Sequence, residues 1–144
     1  MYRGWAPESH HRARIVVTDP DGSVRLGLGN LDFPTLPRSA LKPFQAIAML
    51  EHGLDLDGAD LALAAASHMG EPIHVDGAAR ILDGAGLSAA DLVNTADYPI
   101  DEIARIDWIR AGRGMEPVAH NCSGKHAAML RTCVRAGWDR EGYR

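Results

Sequence analysis

Lysine is nearly absent from this chain: thirteen of its fifteen cationic side chains are arginine, leaving only Lys42 and Lys125. Arginine serves wherever charge alone is needed, whereas lysine can lose its proton and act as a base, nucleophile or ligand. The two lysines are therefore candidate functional groups. Cysteine is equally sparse. Cys122 and Cys133 fall in what reads as one helix, where a rise of roughly 1.5 Å per residue sets them roughly 16 Å apart. A disulfide needs Cα atoms within about 7 Å, so the pair are free thiols or ligands. Long apolar runs are missing too. The longest, residues 61–66, falls far short of the ~20 needed to span a bilayer. The polar, His-rich start has no apolar stretch behind it and does not read as a signal peptide. The expectation is a soluble, cytoplasmic protein without a membrane partner.

What is present fits one globular core. With 144 residues, 46% of them hydrophobic, the chain is expected to form a single domain over residues 1–144. The net charge is -4, with acids concentrated in residues 51–107 and cations in residues 108–144. Neither region makes the clustered cationic face of a nucleic-acid binder, so no nucleic-acid partner is expected. The acidic middle reads as solvated helix faces.

Residues 13–19 are β-branched and read as a strand, Pro20-Asp21-Gly22 supplies turn chemistry, and residues 23–28 pair back as a second strand. Helices follow. The first is expected over residues 39–52, apolar nearly all round and hence buried on several sides, with Gly53 as its stop. Asp57 or Asp60 is expected to cap a second helix that runs through Ala66. Others are expected over residues 73–82, 100–110 and 123–136, the last ended by Gly137. Ser88 to Asp91 has capping-box spacing. A lone hairpin followed by helices is α+β, and because a two-stranded sheet is marginal, more strands or a covering helix are expected to complete it.

Three segments carry chemistry. In Arg38-Ser39-Ala40-Leu41-Lys42-Pro43, Pro43 is tolerated only in a first helical turn, which puts Ser39 at the helix edge and Lys42 one turn along on the same face. Free amides and the positive end of the helix dipole there would disfavour a protonated Lys42 and favour an oxyanion formed by attack of Ser39. Ser39 as a plain N-cap and Lys42 as a solvated side chain is the competing reading. The segment Ser67-His68-Met69-Gly70-Glu71-Pro72 leaves a helix as a small-residue loop whose hydroxyl could pass protons beside a Ser/Lys pair, or simply cap helices. In His120-Asn121-Cys122-Ser123-Gly124-Lys125-His126, Cys122, Lys125 and His126 fall at i, i+3 and i+4 near one helix end. Thiolate and imidazole suit zinc, but a structural site needs four donors.

Together these strings, in this order, resemble the asparaginase II family, the rhizobial-type L-asparaginases. The resemblance also takes in Glu8 to Arg12, Phe44, Gln45, Ile73, His74, the run to Leu130, and Gly137-Trp138. It implies a serine β-lactamase and penicillin-binding-protein-like fold, here incomplete, because family members are somewhat more than twice as long. It implies Ser39 as nucleophile, Lys42 as its base, and Ser67 in a second Ser/Lys pair whose lysine lies beyond residue 144. Cys122 and Lys125 match a family metal site that looks zinc-like and needs a further ligand; no organic cofactor is implied. Arg38, His68, Asn121 and His126 are the candidates for holding substrate. The implied reaction converts L-asparagine to L-aspartate and ammonia through an acyl-enzyme, and the full-length protein is expected to be a homodimer. Two alternatives share these residues: a penicillin-recognising serine hydrolase or peptidase, and an inactive fragment or split subunit that binds metal or a complementary chain.

Overall fold

The computed structural model describes residues 1–143, and the chain divides into two compact units, residues 1–36 and 37–144. The first unit holds two antiparallel hairpins: β1 (Tyr2–Arg3) with β2 (Ala6–Pro7), and β3 (Ile15–Thr18) with β4 (Val24–Leu28). The β3–β4 turn closes as its sequence dictates, with Gly22 at φ 87° and the Asp21 carboxylate accepting from the Ser23 amide and hydroxyl. Ile15, Val16, Val17, Val24, Leu26 and Leu28 are all exposed. Every residue of both strands faces water, so hairpin pairing rather than burial is what holds this sheet together.

The second unit is helical: α1 (Lys42–Glu51), α2 (Gly58–Ala64), α3 (Pro72–Asp83), α4 (Glu102–Arg110) and α5 (Ser123–Ala136). The chain is thus a mixed α/β protein, strands first and helices after. Its core is centred on α3 and α5, where Ala78, Ile81, Leu82, Ala127, Ala128 and Leu130 are essentially inaccessible. Gly124 makes the close approach of α5 to α2 possible, since a Cβ there would stand 2.8 Å from the Leu63 carbonyl oxygen. Gly137, at φ 68°, ends α5 in the left-handed conformation expected of a C-terminal glycine.

Local chemistry explains where the boundaries depart from expectation. Residues 38–41 form a 3-10 turn, so α1 begins at Lys42 rather than Ser39, with Pro43 in its first turn. The helix is also not buried all round. Only Lys42, Ala46 and Met49 are covered, while Phe44 and Ile47 stand in water, because within this unit α1 packs on one side, mainly against α5. The Ser88–Asp91 capping box forms as read, but around a 3-10 turn (Ala89–Asp91). The fourth helix starts at Glu102 because Asp101, with non-helical backbone at φ -59° and ψ 130°, is its N-cap and accepts the Ala104 amide on its side chain, while the amides of Ile100 and Asp101 bond the Met69 carbonyl at 2.8 Å. Asp57 precedes α2 without a side-chain capping bond, and α2 ends at Ala64, short of Ala66.

Candidate active site

The site grows from the first turn of α1. Lys42 is only 3% exposed, and a buried ammonium or amine needs partners for its N–H groups. It finds two in the loop that leaves α2: Nζ donates to the Ala66 carbonyl at 2.6 Å and to Ser67 Oγ at 2.7 Å. The lysine thus reaches across 25 residues of sequence to a serine hydroxyl. Lys42 also lines a cavity of about 300 Å³, together with Arg38, Ser39, Gln45, Cys122 and Lys125.

Ser39 enters this cavity from the 3-10 turn just before α1. Arg38, beside it, sits at φ 49°, the one described residue other than glycine with positive φ. A side-chain-bearing residue in that region costs of order 1 to 3 kcal/mol, a strain found most often at functional sites. Opposite, Cys122 is the N-cap of α5 and Lys125 lies in its first turn, so both of the chain's lysines face one space. That spacing was legible in the sequence. Gln45, one turn after Lys42 on α1, also lines the space and is not singled out by sequence reasoning.

The loop carrying Ser67 is fixed by its neighbour His68, which is 5% exposed. Its amide donates to the Asn121 carbonyl at 3.1 Å, its Nε2 meets Ser123 Oγ at 2.9 Å, and its Nδ1 accepts the Gly70 amide at 3.1 Å. An amide N–H can only donate, so Nδ1 carries no proton and the ring is the neutral Nε2–H tautomer, donating to Ser123. Burial first, then electrostatic repulsion from His74, Lys42 and His120, pushes its pKa down to about 4. His120 is lowered as well, chiefly by burial, with Lys42 and Lys125 adding to it against the opposing pull of Asp97. Its Nδ1 accepts the Cys122 amide at 3.1 Å, shaping the entry to α5.

Of the residues expected to act, the structure brings Arg38, Ser39, Lys42, Cys122 and Lys125 around one cavity and binds Ser67 to Lys42. His68 instead borders a second cavity of about 500 Å³, with Ser67, His74, Asp60 and Arg80 among its walls. Asn121 offers its backbone carbonyl to His68, and the His126 ring stands edge-on to Tyr143 at 5.6 Å. Neither Asn121 nor His126 lines the first cavity. As for zinc, no group of three or more His, Cys, Asp or Glu side chains is placed to hold a metal ion among the described residues. Cys122 and Lys125 supply two donors where a zinc ion takes at least three protein ligands.

Arranged this way, the groups form a hydroxyl beside a cavity, a buried amine bonded to a second hydroxyl, and cationic side chains able to hold a carboxylate. No helix among the described residues is long and apolar enough to cross a membrane. No curated protein sequence matches the chain. The L-asparaginase II family model matches residues 1–144, and the chain therefore belongs to the L-asparaginase II family.

Proposed function

We propose that this chain carries the catalytic Ser/Lys groups of an L-asparagine amidohydrolase, which releases ammonia and L-aspartate through an acyl-enzyme. The observation that carries this reading is the buried Lys42, whose amine bonds Ser67 Oγ at 2.7 Å and which shares the lining of one cavity with Ser39. An uncharged Lys42 would take the proton of Ser39 as its oxygen attacks the side-chain amide carbonyl, then deliver it to the departing ammonia. The same base would activate the water that frees aspartate. Ser67 would move protons to and from the amine, since its hydroxyl can donate to the amine once Lys42 is uncharged. Arg38 is the cationic group suited to the substrate's carboxylate.

The family relationship favours a serine β-lactamase-like fold, a cytoplasmic location and a homodimer for the full-length protein. Cys122 and Lys125 are this chain's contribution to a zinc-like centre that requires a further donor, and no step above depends on it. Glutamine is expected as a poorer substrate, one methylene being worth about 1 to 3 kcal/mol of discrimination. The deciding experiment measures ammonia release from asparagine by the chain, and by a C-terminally extended form, with and without Ser39→Ala. Loss of release in the variant supports the assignment. Release that persists refutes Ser39 as the nucleophile, and labelling of Ser67 by a diazoketone analogue of asparagine would transfer the role to that residue.

A further inference from the structure

The loop over residues 65–70 presents Ser67 between buried anchors: Ala65 packs against the core, His68 and Gly70 are buried, and Ala66, Ser67 and Met69 are exposed. Hydrogen bonds fix the exposed part of the loop. On one side the Met69 carbonyl accepts the amides of Ile100 and Asp101. On the other, the His68 ring joins the buried Ser123 at the start of α5 to the Gly70 amide. Gly70 sits at φ 82° with Pro99 so near that a Cβ would lie 2.8 Å from its Cα, so the amide is held in place to reach Nδ1.

We propose that His68 is a positioning residue: its neutral ring ties the loop to the first turn of α5 and thereby holds the Ser67 hydroxyl on the Lys42 amine. The ring makes both of its bonds only as the neutral Nε2–H tautomer. A proton on Nδ1 would face the Gly70 N–H donor to donor and break that bond, while Nε2–H would still donate to Ser123. The groups facing the ring all oppose that proton: Lys42 from α1, His74 from α3, stacked at 5.2 Å, and His120 from the segment before α5. Asp60 and Arg80, which border the same cavity, are paired with each other.

The tie itself is tested without turnover. In the uniformly labelled chain, long-range 1H–15N correlation spectra should show the His68 ring as the Nε2–H tautomer, titrating at about 4. With only two lysines, the Lys42 side-chain resonances can be assigned by comparison with Lys42→Arg. They should move in His68→Leu and stay closer to wild type in His68→Gln, whose amide can still donate to Ser123. An Nδ1–H tautomer, ordinary titration near 6.5, or Lys42 resonances unmoved in a folded His68→Leu variant would overturn the proposal.

Its catalytic consequence rests on the amidohydrolase reading. Where ammonia release is measurable, His68→Leu should lower kcat on the order of 10- to 100-fold while KM stays within about threefold, with His68→Gln recovering part of the loss. Equal kcat in His68→Leu and wild type overturns the positioning role. Absence of asparaginase activity alongside the expected spectra sinks the functional reading and leaves the tie standing.

Discussion

Acid should weaken this fold through His68 before it touches the carboxylates. The ring is buried neutral, with its pKa taken from 6.5 down to about 4, whereas in the unfolded chain it is an ordinary imidazole. Between those values the unfolded state holds a proton that the folded state refuses, so falling pH favours unfolding. The contribution is present in full above the unfolded value and is lost as pH drops through the folded one. At about 1.4 kcal/mol per pKa unit, the full loss is about 3 kcal/mol, of which about 2 kcal/mol has gone by about pH 5. His120, displaced in the same direction, adds to it. The carboxylates held low by partners, Asp55 by Arg131 and Arg135 and Glu116 by Arg113, act only at more acid pH. Urea unfolding followed by circular dichroism, at about pH 7.5 and about pH 5, isolates the effect when the chain is compared with His68→Gln, which cannot titrate. With a urea slope of about 2 kcal/mol per molar, the wild-type midpoint should fall by about 1 M more than the variant's. Coincident shifts in the two proteins would refute the reasoning, because the proton uptake would then lie elsewhere.

Other substitutions probe the same framework. Gly70→Ala combines a left-handed backbone with a clash at Pro99 and should cost about 2 to 4 kcal/mol in thermal or urea unfolding. Gly124→Ala pushes α5 off the Leu63 carbonyl and should cost about 1 to 3 kcal/mol, read in the same way. Lys42→Met should fill the buried stem's volume and leave exposed Ala66 and Ser67 to bond water, so stability should change by less than about 1.5 kcal/mol while ammonia release falls about 10²-fold or more. Ser88→Ala removes the capping box and should lower stability by about 1 kcal/mol in urea.

The parts of this architecture that were legible in the sequence are those set by neighbours along the chain. Pro43 fixed the start of α1 to within a turn, Gly137 marked the end of α5, and Asp21 with Gly22 marked the β3–β4 turn. The spacing of Cys122 and Lys125 put them at one helix end, where both reach a single cavity. What stayed hidden depends on contacts distant in sequence. Nothing near Lys42 indicates that its amine reaches Ser67, because that bond follows from how α2 and α5 pack. The start of α4 was misplaced by two residues because Asp101, rather than an earlier residue, serves as its N-cap. The all-round apolar character of α1 could not reveal which face would be covered. The small β1–β2 hairpin was missed since its strands are too short to show alternation.

The β3–β4 ribbon has a practical bearing on handling this protein. Both of its outer edges present unpaired main-chain donors and acceptors, and both of its faces carry branched aliphatic side chains, the combination that recruits further strands from solution. Concentrated samples should accordingly self-associate through residues 15–28, and a lysine in place of Val16 or Leu26 should raise solubility without disturbing the helices that carry the hydroxyl and the amine.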